Sequence, residues 1–422
     1  MSLPLSLQLY RALVWLTAPL SGWILRNRAR RGKEDATRLN ERFGRSEHHR
    51  PPGKLLWLHG ASVGESLILL ELVQRLSATT DWQFLVTTGT ATSARLMGEK
   101  LPDRARHQYV PIDRLGPVRR FLDHWSPDAA IFVESELWPN LLLEMQQRNI
   151  PSALINARMN QASLTNWHKR KAAARRLLSA FSWIGAADAR TAAGLSKLTD
   201  TPVPQVGNLK LQIAALSPAD VQLNTIRSRL GERPVWLAAS THAGEDDILI
   251  AAHRRYLETR PEALLILAPR HPERGGDIAS LMNAAGFTFA RRSQDKFPEP
   301  ATQVWLADTL GEMPLWYALA DQAFIGGSLI EGIGGHNPVE ATRAGCPIIS
   351  GPYTASFDDV FAAYREHSGV VIAGSPEEIA AALCASTESR KAGAQYALLQ
   401  LTGSAMDETL AAILSLMPEE PQ

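Results

Sequence analysis

The sequence predicts an α/β protein made of two doubly wound parallel sheets covered by helices. Three observations carry that prediction. The chain has 422 residues, more than one hydrophobic core ordinarily organises and enough for two. From Lys54 onward, short β-rich runs alternate with helical patterns, the rhythm of a parallel sheet whose crossovers are helices. Near Gly207 the rhythm pauses, a linker-like stretch with Pro218 follows, and the alternation begins afresh.

In the first half, residues 54–59 read as a strand and 66–76 as the helix after it. Residues 83–87 form the next strand, with a helix from about Thr92. Residues 129–133 precede a helix near Pro139, and residues 152–155 precede a basic helical stretch that runs through Leu178. In the second half, the strands fall at 235–239, 263–268, 303–306, 323–325 and 347–349. A helix starts near Glu245, and residues 376–385 and 391–416 are helical. The expected division is an N-terminal segment 1–31 and two domains, 32–210 and 221–422. Ligands of such sheets bind at the carboxyl ends of strands, so a cleft between the domains is the expected site.

The N-terminal segment stands apart. Residues 3–25 are largely apolar but are interrupted by Gln8, Arg11 and Pro19, and a basic run follows with Arg26, Arg28, Arg30, Arg31 and Lys33. The uninterrupted part, residues 12–25, still contains Thr17, Pro19, Ser21 and Gly22 and is short for a bilayer span, which needs about 20 apolar residues. Trp15 and Trp23 suit a membrane interface. The expectation is a membrane anchor that lies in the interface or spans marginally, with the main body on the cytoplasmic side. The competing reading is a helix packed on the protein's own surface.

Composition narrows the function. A formal net charge of +1 gives no global field toward nucleic acid. Two cysteines, Cys346 and Cys384, lie far apart without CxxC spacing, and no HExxH pair occurs, so neither a disulfide framework nor a metal motif is encoded. No cofactor is expected. The turn after the first strand lacks the GxGxxG of a dinucleotide-binding domain, and no Walker A sequence is present.

Polar clusters recur where strands should end. His59-Gly-Ala-Ser-Val-Gly-Glu65 and Glu134-Ser-Glu-Leu-Trp-Pro-Asn140 do so in the first half. Ser240-Thr-His242, Pro269-Arg-His-Pro-Glu-Arg274, Gly326-Gly-Ser328 and Gly334-Gly-His-Asn-Pro-Val-Glu340 do so in the second. Asn337 reads as a helix N-cap, with Pro338 at the first helical position and Glu340 three residues after the cap. The free amides there would hold a phosphate. The same spacing is also a capping box that merely starts a helix. Ser62 and Glu65 carry the same ambiguity between a box and a general base. Arg270 and Arg274 are candidates for phosphate recognition. His59, His242 and His336 read as polar lining residues without assigned chemistry.

Together with Asn156-Ala-Arg158, Gly207-Asn-Leu-Lys210 and Ser240-Thr-His-Ala-Gly-Glu245, these motifs resemble the lipid A Kdo (3-deoxy-D-manno-oct-2-ulosonic acid) transferases, in that family's order, over residues 1–360. The resemblance implies a GT-B fold, CMP-Kdo as donor, lipid IVA as acceptor, and inversion without a metal, at the cytoplasmic face of a bacterial inner membrane. It implies that Glu65 is the catalytic base. It places CMP contacts on Pro269, Arg270, Gly311, Glu312, Met313, Asn337, Pro338, Val339 and Glu340, with Ser62, Lys210 and Ser240 as further cleft residues. Membrane lipids are the remaining implied partner. The chain departs from the family in having Ser356-Phe357 after the Gly351-Pro352 turn, where Asn-Phe is usual, and Ala186-Ala187-Asp188 where a Gln-Ser or Gln-Asn pair is common. A different class fits the basic N-terminus equally: a catalytically silent scaffold of this fold that binds anionic lipid.

Overall fold

The computed structural model describes residues 3–212 and 220–417. The chain forms two compact units, which divide near residue 213 and again at Thr402.

The first unit is a six-stranded sheet of β1 (Leu55–His59), β2 (Gln83–Thr88), β3 (Ala105–Tyr109), β4 (Ala129–Val133), β5 (Ser152–Ala157) and β6 (Trp183–Ala186). All strand pairs are parallel, in the order β3-β2-β1-β4-β5-β6. The chain leaves β1 in one direction and returns on its other side at β4, so the β1/β4 gap is the switch point where such sheets bind ligands. Every residue of β1 and β4 is buried, because helices cover both faces. On one face Trp57 packs against Phe121 and Phe132. On the other, Leu56 and Leu58 meet Ile68, Leu69, Leu72 and Val73 of the helix Val63–Thr79. Ser62 in extended conformation caps that helix, and extended Thr80 ends it.

The second unit has seven parallel strands: β7 (Val235–Thr241), β8 (Leu264–Pro269), β9 (Phe289–Arg291), β10 (Val304–Leu306), β11 (Gln322–Ile325), β12 (Ile348–Ser350) and β13 (Val370–Ile372). Their order, β13-β12-β11-β7-β8-β10-β9, puts the switch point between β7 and β11.

Two expectations need correction. The strands that hydrophobic runs leave unmarked, β3, β6, β9 and β13, are the four sheet edges. The last segment belongs with the first unit, not with residues 221–401. The helical pattern over 391–416 breaks at Gly403 and Ser404 into helices Glu388–Thr402 and Ala405–Leu416. In the second of these, Met406 and Ile413 are buried against Leu56, Leu72 and Leu209 of the first unit. Apolar contact decides the return.

The N-terminal segment is two short helices, Leu5–Leu16 and Ser21–Arg30, separated by a 3₁₀ turn that contains Pro19. No helix among the described residues is long and apolar enough to cross a membrane. One side is docked on the first unit. Leu7 enters the core, the Tyr10 hydroxyl donates to Asp113 Oδ2 at 2.7 Å, and Arg11 Nε donates to Asn140 Oδ1 at 3.0 Å. Arg114 donates to the Ala18 carbonyl and to Ser21 Oγ. The other side leaves Leu5, Leu9, Leu13, Trp15, Leu16, Leu20 and Trp23 exposed, Trp15 by 78%.

Candidate functional site

Polar groups collect at the carboxyl end of each sheet, and each rim is built by its own unit. In the first unit, the turn after β1 delivers Glu65 into the first turn of the helix Val63–Thr79, where only 6% of it is exposed. One carboxylate oxygen accepts the Ala61 amide at 2.7 Å. The other accepts the Ser62 hydroxyl, whose oxygen in turn receives the Glu65 amide at 3.4 Å. The capping box therefore closes, with the carboxylate reaching the amide of Ala61 in place of that of Ser62.

Lys210 lies beside this turn. A Cβ on Gly64 would stand 3.2 Å from Lys210 Cε, so the missing side chain at 64 makes room for the lysine stem. The ammonium pairs with Glu134. Glu134 ends β4 in the left-handed region (φ 62°), and Asn156 in β5 does the same (φ 50°). Such backbone in non-glycine residues costs energy and clusters at functional sites. Asn156 is also tied to this rim, since its Oδ1 accepts the Leu209 amide at 2.8 Å. Glu136 accepts Trp138 Nε1 at 2.6 Å and stands 3.4 Å from Nε2 of buried His59. Burial raises the Glu136 pKa, but hydrogen bonding and charge from His59, with Trp138, outweigh this and hold it below the usual carboxylate value. Three carboxylates, one lysine and one histidine thus surround the β1/β4 switch point.

In the second unit, β7 ends at Ser240 (φ 57°) and Thr241. Gly326, after β11, runs so close that a Cβ there would meet the Ser240 carbonyl oxygen at 2.6 Å. Between the two strands lies Glu245, fully buried. Its Oε2 accepts the amides of His242 and Gly327, and its Oε1 those of Ser328 and Leu329, at 2.7–2.9 Å. One carboxylate thereby fixes both sides of the second switch point. Pro269 ends β8, and the exposed Arg270 follows with its amide on the Thr241 carbonyl at 3.0 Å. The Arg270 guanidinium takes no hydrogen bond or ion pair among the described residues.

Arg274 does otherwise. It pairs with buried Asp246 and donates to the Thr241 carbonyl, so it braces the loop and is not available for phosphate. Gly311 (φ 84°) and Glu312 lead into the helix Met313–Leu319. Burial raises the Glu312 pKa, yet hydrogen bonds from Arg292 and Thr309 prevail and hold it low.

The frame at Asn337 shifts by one residue. The helix is Val339–Arg343 with Pro338 as N-cap, and the Asn337 side chain accepts the Val339 amide at 3.1 Å as a turn. Glu340 is therefore not the closing residue of a box. Its side chain reaches solvent, but loss of hydration around the carboxyl raises its pKa against the pull of Arg343. The helices Met313–Leu319 and Val339–Arg343 are in contact. An open pocket of about 560 Å³ adjoins this loop, lined by Gly332, Gly334, Tyr353, Ser356 and Arg365. A second hollow of about 320 Å³, lined by Phe181, Trp183 and Val203, opens before β6, away from the carboxyl ends of the strands.

Ser62, Glu65 and Lys210 thus meet on the first rim. Ser240, Pro269, Arg270, Gly311, Glu312, Met313, Asn337, Pro338, Val339 and Glu340 lie on the second. Motif reading passed over Glu245, although the turn Ser240–Glu245 contains it. Its buried position is set by amides of residues 327–329, more than 80 positions away, which no local pattern displays.

Residues 37–213 match the family model described as 3-Deoxy-D-manno-octulosonic-acid transferase (kdotransferase). The chain is 35% identical over 386 residues to the 3-deoxy-D-manno-octulosonic acid transferase of Haemophilus influenzae, covering 88% of this chain and 90% of that one. It is 35% identical over 368 residues to a probable mitochondrial 3-deoxy-D-manno-octulosonic acid transferase of Arabidopsis thaliana, covering 85% and 82%. Among solved structures it is similar in fold to a glycosyltransferase from Rickettsia africae, with a TM-score of 0.57 at 8% identity, covering 88% of this chain and all of that one. The architecture is that of a GT-B glycosyltransferase.

Proposed function

The chain belongs to the 3-deoxy-D-manno-octulosonic acid (Kdo) transferase family, and from that premise we propose that it transfers Kdo from CMP-Kdo to lipid IVA in lipopolysaccharide assembly. The observation that carries the residue assignment is Glu65, an inward carboxylate at the rim of the first switch point.

The acceptor hydroxyl oxygen attacks the anomeric carbon of Kdo and gives its proton to Glu65. The bond from that carbon to the phosphate oxygen breaks, its electron pair leaves with CMP, and attack from the opposite face inverts the centre. Lys210, beside Gly64, supplies positive charge next to the base. Arg270, unpaired among the described residues, takes the phosphate, with Gly311, Glu312, Met313, Asn337, Pro338, Val339 and Glu340 around the nucleotide. The reaction so written uses arginine and lysine for charge and no metal. A radiolabel assay with CMP-Kdo and lipid IVA tests it. Labelled Kdo should appear in lipid. Binding of lipid IVA vesicles without transfer would instead mark a silent scaffold.

Arg270→Ala is expected to weaken CMP binding about 10- to 150-fold, the loss of one charge-assisted hydrogen bond of about 1.5–3 kcal/mol. Calorimetry that shows unchanged affinity removes Arg270 from the site.

The protein is proposed to sit on the cytoplasmic face of the inner membrane, with the exposed apolar side of the N-terminal helices in the lipid interface. Each large apolar side chain contributes roughly 1.5–3 kcal/mol when fully buried. Replacing Leu9, Leu13 and Trp15 with Ser should lower partitioning onto anionic vesicles by at least about 10²-fold, read by co-sedimentation. Equal sedimentation of the variant would place attachment elsewhere.

A further inference from the structure

The donor rim holds a feature that the transfer step above does not use. His242, just after β7, and His336, in the glycine loop, lie with Nε2 atoms 2.8 Å apart and rings nearly parallel at 5.0 Å between centroids. His271 meets the His242 ring edge-on at 5.9 Å. The couple is bracketed by two residues assigned to the donor, since Arg270 precedes His271 and Asn337 follows His336.

We propose that His242 and His336 share protons as a couple that takes up one positive charge when the donor's phosphate binds beside it. The proposal rests on the donor assignment above. Its geometry is specific about how many protons are involved. A hydrogen bond between two imidazole nitrogens needs one N–H and one bare nitrogen. In the neutral couple each ring carries a single proton. A further proton can enter at the ring that keeps a bare Nδ1, and neither Nδ1 has a partner among the described residues. The bond between the rings then survives in charge-assisted form. A second proton would put N–H groups on both facing nitrogens and break it. The couple therefore holds a charge of zero or one.

Its protein surroundings favour the neutral couple. Burial holds His336 down to about 4, and His242, Arg270 and His271 act in the same direction against the pull of Glu245. Burial also lowers His242, with His271, Arg274 and Arg270 opposing Glu245. The Glu245 carboxylate is already occupied by four amides. An anion at Arg270 reverses that balance. The phosphate of a sugar nucleotide carries one negative charge as a diester and approaches two when CMP leaves as a monoester. A couple that charges in step stabilises the departing group more than the bound substrate, which is the condition for accelerating the reaction.

The test is calorimetric titration of the full-length protein with CMP at about pH 7.5, above the phosphate's second pKa of about 6, in buffers of different protonation enthalpy. Wild type should take up a substantial fraction of one proton per CMP. His336→Gln should still bind CMP, about 10- to 150-fold more weakly, the share of one charge-assisted bond, and should take up none. ¹⁵N-histidine spectra of the wild type should show a new imidazolium at CMP saturation. Zero uptake by wild type with CMP bound, or equal uptake by the variant, overturns the couple while leaving the donor site standing. Absence of CMP binding, or an unaffected Arg270→Ala protein, overturns the donor assignment and the couple with it.

Discussion

Glu65→Gln is expected to lower Kdo turnover by roughly 10²–10⁴-fold, the usual share of acid–base catalysis, with CMP affinity and thermal stability near those of the wild type. The side-chain geometry explains why the substitution separates chemistry from structure. A glutamine oxygen can accept the Ala61 amide as Oε2 does now. Its NH₂ can donate to Ser62 Oγ, because a hydroxyl reverses direction at little cost. The cap is therefore preserved and only the ability to take a proton is lost. Turnover within a few-fold of wild type would show that Glu65 starts the helix and nothing more, and Glu134 and Glu136 on the same rim would become the candidates.

Removing the Glu245 carboxylate should have the largest effect on stability. Glu245→Ala strands four backbone N–H groups, those of Gly327, Ser328 and Leu329 buried and that of His242 partly so. Each unsatisfied donor costs about 1–3 kcal/mol, and water entering the vacated space recovers part of it. A loss on the order of 3–5 kcal/mol follows, confined to the second unit. Chemical denaturation should show it, and amide hydrogen exchange at Gly327, Ser328 and Leu329 should accelerate beyond the rest of β11 and β7. CMP binding should fall with it, because the loop that carries His336 leans on these residues: the amides of Gly335 and His336 bond to the carbonyls of Gly327 and Gly326. Unchanged exchange at those three amides would show that the carboxylate holds nothing in place.

Both parallel sheets were legible because central strands are covered on two faces and must be continuous apolar runs, as in 55–59, 129–133 and 264–268. Edge strands escape that demand. β3 reads Ala-Arg-His-Gln-Tyr and β9 Phe-Ala-Arg, so charged and polar residues break the apolar run that would mark them. The rims were legible as motifs because glycine, proline and polar residues must gather where strands turn into helices. What motifs could not show is who pairs with whom. Arg270 and Arg274 look alike in sequence, and the buried position of Asp246 separates the committed guanidinium from the one that has no partner among the described residues. The helix begins one residue later than an Asn337 cap would place it, for a similar reason. Both frames satisfy the same spacing, and the turn that Asn337 makes with the Val339 amide selects the other.

The return of the chain at Thr402 bears on how the protein is made. Residues 220–401 are emitted from the ribosome before the helix Ala405–Leu416, and that helix completes the hydrophobic layer over β1 and the helix Val63–Thr79. The second unit can close once residues 388–401 have emerged, since buried Arg390 bonds to Gln322 and to the Ala382 carbonyl. The first, although begun earlier, lacks part of the layer over Leu56, Leu72 and Leu209 until residues 405–416 have followed. Order of synthesis and order of completion are thus reversed, and the half that carries Glu65 is the last to become whole.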